Sequence, residues 1–148
     1  MPHFGLMDES AMPRELAALL RARLHLRGGR RRLDERKHAA GVAALYDSLC
    51  SGMRWAILTA PEASLPGLKT EIDGRSDREV FLALAKAGVL DRVAEFEQVD
   101  ALLDQLLTGL TPTFDRQWLL THIEHWLHLL GVLPFDETTL PAEDPNTY

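Results

Sequence analysis

The chain has 148 residues, 46% hydrophobic and 26% charged, the balance of an ordinary globular protein, and a single domain of that size buries roughly 70% of its unfolded-chain surface. Cys50 is the one cysteine, so an intrachain disulfide is excluded and a reducing, cytoplasmic setting is expected. No run approaches ~18 consecutive apolar residues, which predicts no membrane span, and residues 1–9 lack a basic leader before an apolar stretch, which predicts no signal peptide.

The net charge of −6 hides a polarity along the chain. Half of the 16 basic residues fall between Arg21 and Lys37: Arg21, Arg23, Arg27, Arg30, Arg31, Arg32, Arg36 and Lys37. From Val93 onward, acids from Glu95 to Asp144 face Arg116 alone. Such a separation governs which partners a surface attracts and how quickly.

Helical periodicity dominates the pattern. After Pro13, suited to a first helical turn, Leu16, Leu19, Leu20, Leu24, Leu26 and Leu33 recur at helical spacing. Gly28 and Gly29 interrupt this segment, but Leu19, Leu26 and Leu33 keep a seven-residue spacing across them. The helix is therefore expected to continue, with the glycines admitting a close neighbour. A second helix spans His38 to Thr59, with stripes on two sides (Val42, Leu45, Leu49 and Ala56; Tyr46, Cys50, Met53 and Ile57), as expected for the centre of a bundle. The stretch 60–75 reads as a long connection broken by Pro61, Pro66-Gly67 and Asp73-Gly74. Ser76 and Glu79 form a capping box for a third helix, which buries Val80, Phe81, Leu84 and Ala85 and stops at Gly88. A fourth is expected over Glu97–Leu107, burying Val99, Leu102, Leu103, Leu106 and Leu107, and a fifth from Thr111-Pro112-Thr113 to Gly131, with Leu119, Ile123, Trp126, Leu127 and Leu130 on its core face. Residues 1–133 are thus an all-α, single-domain bundle of about five helices. Residues 134–148, with Pro134, Pro141 and Pro145 among acids, are an extended tail that covers the surface or stays mobile.

Two groups of residues could carry function. Arg23, Arg27, Arg30, Arg31 and Arg32 form a candidate binding surface for an acidic protein or a phosphate-bearing ligand, the acidic end of a second copy included. The competing reading is a solvated face whose long side chains lie over apolar neighbours. No aromatic residues interleave with these arginines, so base stacking of the single-strand type lacks its platform, and the pI near 5.5 weighs against a dedicated nucleic-acid binder. The second group is Arg116, His122, His125 and His128 on the last helix. His122 and His125 share a face with Trp118, while His128 points elsewhere, and no third or fourth metal ligand is evident. Packing at the helix rim or at a subunit interface accounts for them more simply than a metal, and no metal or cofactor is expected. No phosphate-binding loop and no Gly-x-Ser-x-Gly elbow occurs.

Over residues 16–107 the order of features resembles the HEPN superfamily of small helical bundles: a first helix running into a charged turn (Leu33 to His38), an alanine-rich second helix with Leu45-Tyr46 at its centre, a third helix ending at Lys86 to Asp91, and an amphipathic fourth. The resemblance implies dimerisation. In some members it also implies ribonuclease activity through an arginine, a polar residue and, after a short gap, a histidine; Arg116, Gln117 and His122 match that pattern. Arg32 and His38 share the spacing, but Leu33 stands where the polar residue is expected. Other members bind nucleotides or proteins without catalysis. The expectation is therefore a non-catalytic interaction or nucleotide-binding module, homodimeric. The alternatives are a metal-independent ribonuclease using Arg116 and His122, and a nucleic-acid-binding protein acting through its basic first helix.

Overall fold

The computed structural model describes residues 8–61, 63–65 and 67–143, apart from the Thr70 side chain. The first helix, α1 (Arg14–Asp34), runs unbroken through Gly28 and Gly29. Its end is closed by Arg36 in a left-handed conformation (φ 61°) and by the Lys37 N–H donating to the Arg32 carbonyl at 2.8 Å. The chain then reverses into α2 (His38–Thr59), which lies antiparallel along α1 in the most extensive helix pairing of the fold.

Small residues make this pairing close. A Cβ built on Gly29 would stand 2.8 Å from Leu45 Cγ and 3.1 Å from the Leu45 backbone nitrogen. Gly41 is the reciprocal case, 2.8 Å from Leu33 Cδ2 and 3.1 Å from the Leu33 nitrogen. Each glycine therefore receives a leucine of the partner helix. Between the same helices Ser48 Oγ donates to the Ala22 carbonyl at 2.6 Å, satisfying a buried hydroxyl.

The helix α2 also packs against the helices that follow it. A one-turn helix, α3 (Leu68–Glu71), and a 3-10 turn at Ile72–Gly74 lie within the connection, which the sequence pattern left as plain loop. Leu65, Leu68 and Ile72 bury their side chains there and anchor it to the core. Next come α4 (Asp77–Lys86), α5 (Val93–Leu107) and α6 (Arg116–Leu129). The Ser76 cap forms as expected, its Oγ accepting from the Glu79 N–H at 3.2 Å. Two helix starts differ from the sequence reading. The fourth long helix begins at Val93, because Arg92 turns the chain in a left-handed conformation (φ 60°). The fifth begins at Arg116, because Asp115, whose Oδ1 accepts from the Trp118 N–H at 3.1 Å, caps it; residues 111–114 lie outside the helix.

These elements converge on an aromatic centre. Phe81 and Phe96 stack at 4.0 Å, and Trp126 meets Phe81 edge-on at 5.4 Å. The Trp126 indole N–H donates to the Asp91 carbonyl at 2.9 Å, which fixes the α4–α5 turn against α6. The expected core face of α6 (Leu119, Ile123, Trp126, Leu127 and Leu130) is buried throughout. The chain forms one all-helical bundle of five long helices, with no strand among the described residues.

Candidate functional site

The basic face of α1 is covered by the acidic end of its own chain. Beyond α6, Val132 is buried and its carbonyl accepts from Arg23 at 3.3 Å, while the Arg23 guanidinium lies 5.0 Å from the centre of the Phe135 ring. Burial lowers the Arg23 pKa. Arg30 pairs with Glu124 of α6 and, at 3.3 Å, with Glu137. Leu140 is buried, and the segment reaches Glu143, whose carboxylate lies 3.0 Å from Arg31 Nε and 4.0 Å from Arg27 Nε. Arg31 also pairs with Glu35 one turn on. Burial opposes the charge on Arg31, but Glu143 and Glu35 outweigh it and raise its pKa. Arg32, only 2% exposed, folds back over Gly28.

The tail therefore covers the surface as far as Glu143; residues 144–148 lie outside the described part of the chain. The basic face is neither a solvated stripe nor an open cationic surface. It is a set of half-buried ion pairs with α6 and the C-terminal segment, and one cation–π contact.

The residues proposed for catalysis are directed to different partners. Arg116 pairs with Asp34 at the end of α1, both side chains about half exposed. His122 Nδ1 instead lies 3.3 Å from Arg92 Nη1. Because arginine can only donate, Nδ1 accepts and the ring proton resides on Nε2. Burial lowers the His122 pKa and Arg92 adds to the effect, while Glu95 partly opposes it. The His122 ring packs 4.5 Å from Trp118 and 5.8 Å from Trp126. His125 Nε2 meets Asp91 Oδ1 at 2.7 Å, while His128 is exposed at the end of the helix, as its helical phase predicts. Arg92 and Asp91 had no signal in the sequence: they enter the group through the left-handed turn that opens α5. Among the described residues no cluster of three or more His, Cys, Asp or Glu side chains could hold a metal ion.

The other acidic grouping surrounds α2. Tyr46 donates to Asp100 Oδ1 at 2.9 Å, and burial first, then Cys50 and Asp100, push its hydroxyl pKa far up. Burial likewise raises the Cys50 thiol well above its usual range, with Asp77 and Asp47 reinforcing it. A thiol held protonated in this way is a poor nucleophile and behaves as a small hydrophobe.

The apolar surface left open lies around the C-terminal half of α5. Leu107, expected in the core of this helix, is 66% exposed, and Leu110 is 58% exposed. Leu110 lines a cleft of about 440 Å³ together with His38, Ala39, Leu106, Gly109 and Pro112. Pro112 also borders a second cleft of about 360 Å³, walled by Phe114, Trp118 and Leu102 with Gln98 and Gln105 at its rim. On the far side of α5 a third hollow runs past Leu103 and Leu107 and is flanked by Glu97, Asp100 and Asp104. No family model matches the chain, and no curated protein or solved structure matches it.

Proposed function

We propose that the chain is a non-catalytic interaction module of HEPN-like architecture that pairs with a second copy of itself through the C-terminal half of α5. One observation carries this reading: at the end of α5 the exposed Leu110 lines an apolar cleft, and the exposed Leu107 protrudes nearby, on the side of the acidic hollow. A knob next to a hollow is what a two-fold interface requires, since each surface must receive its own image. Isolated exposed leucines are ordinary, but leucines contiguous with apolar clefts mark association surfaces.

The basic first helix supports binding of free nucleic acid or nucleotide less well, because its arginines are already engaged within the chain. The ribonuclease reading gains little support as well, because Arg116 and His122 are held by Asp34 and Arg92 respectively. Substituting Leu107→Glu tests the proposal. Placed in an apolar interface the charge lowers dimer affinity by at least about a hundredfold, the cost of burying an unpaired carboxylate. On an exposed monomer surface it leaves helix content and stability unchanged. A Leu107→Glu chain that self-associates like the wild type would refute the interface.

A further inference from the structure

We propose that Arg27 and Arg31 on α1 form a recognition site for the carboxylates of an acidic peptide segment of a partner protein, and that Glu143 occupies this site in the unbound chain. The site is built rather than incidental. The Glu143 carboxylate sits against two guanidiniums, and the side chains of Arg27, Arg31 and Glu143 are only 16%, 19% and 18% exposed. Neither Nε makes a hydrogen bond among the described residues, so the two contacts are ion pairs, and at this depth water screens them less than at the surface. Gly28 forms the floor. A Cβ there would stand 3.3 Å from Glu143 Oε1 and 2.6 Å from Arg32 Nη1, so any larger residue intrudes on the seat of the carboxylate.

The occupying segment is fastened at intervals. Val132 and Leu140 are buried, whereas Asp136–Thr139, Pro141 and Ala142 are exposed. Release of Glu143 therefore breaks two ion pairs and uncovers little apolar surface beyond Leu140. Such a segment opens at low cost compared with the bundle itself. An acidic peptide arriving from outside offers the same chemical group and competes for the same arginines. The tether sets the strength of the competition, because a short flexible linker holds its ligand at an effective concentration of order mM. The covered site consequently looks inert to weak acidic peptides and opens to those that exceed the internal competitor.

The probe is a fluorescein-labelled peptide with the sequence of residues 134–148, titrated with the full chain and read by fluorescence anisotropy at low salt. Glu143→Gln removes the competitor's charge and should bind the peptide about tenfold more tightly than the wild type, given a tethered ligand of order mM. Adding Arg31→Gln, or Arg27→Gln, to that variant should abolish the gain. A control peptide with every Asp and Glu replaced by its amide needs no change to the bundle and should not bind. Equal affinities for wild type and Glu143→Gln, or equal binding of the acidic and amide peptides, would overturn the proposal.

Discussion

Replacing Gly29 by alanine tests how α1 and α2 are held together. Helix propensity alone makes this substitution favourable, by about 1 kcal/mol in a helix interior. Packing says the reverse. The new methyl would stand 2.8 Å from both Leu45 Cγ and Leu45 Cδ2 and 3.1 Å from the Leu45 backbone nitrogen. The side-chain atoms could rotate aside only into a fully buried environment, and the backbone nitrogen can yield only if α2 itself moves. Overpacking of this kind costs about 1–3 kcal/mol, which with the propensity gain leaves a net loss of up to about 2 kcal/mol. For a urea slope of roughly 1–3 kcal/mol/M the midpoint falls by up to about 0.7–2 M. Far-UV circular dichroism along a urea series measures it. Gly74, with nothing within 4 Å of its built Cβ, is the matched control and should tolerate alanine. A Gly29→Ala chain more stable than the wild type would mean that the close approach does not constrain the pairing.

The His122 environment makes a pH prediction. Its folded-state pKa lies below the ordinary 6.5, through burial and then through Arg92, so below that pH the unfolded chain binds more protons than the folded one. Stability should therefore rise with pH through the window ending near 6.5, and in an NMR titration Arg92→Gln should move the His122 midpoint upward; an unmoved midpoint would remove Arg92 from the account. Arg116→Ala should cost no more than about 1 kcal/mol, because its pair with Asp34 is solvent-exposed and screened; a much larger loss in thermal unfolding would mean that this arginine has a role beyond the pair. Labelled RNA should remain intact with both the wild type and His122→Ala; cleavage by the wild type alone would restore the catalytic reading of His122.

The sequence was most readable where one helix buries one face. The core residues of α2 and α6 follow from apolar spacing alone, and the seven-residue recurrence of Leu19, Leu26 and Leu33 pointed correctly to an unbroken α1. The helix starts at Val93 and Arg116 were harder to place. Arg92 adopts a conformation that its residue type disfavours, and Asp115 caps more effectively than the Thr-Pro-Thr segment before it. The one-turn α3 was hidden because Leu65, Leu68 and Ile72 are scattered among turn-forming residues. The fate of the basic segment was illegible for a different reason. Its partners Val132, Glu137 and Glu143 lie more than 100 positions away, and nothing local to α1 announces them. Charge polarity revealed an attraction between the two ends of the sequence, and the fold satisfies it within one chain.

Light scattering coupled to size exclusion across a concentration series measures whether the α5 face joins two copies. The expected mass is twice the 16.6 kDa of one chain. The association should strengthen as salt is raised, because Asp100 and Asp104 from two copies repel across an otherwise apolar contact. A single 16.6 kDa species at every concentration and salt would contradict the proposed function.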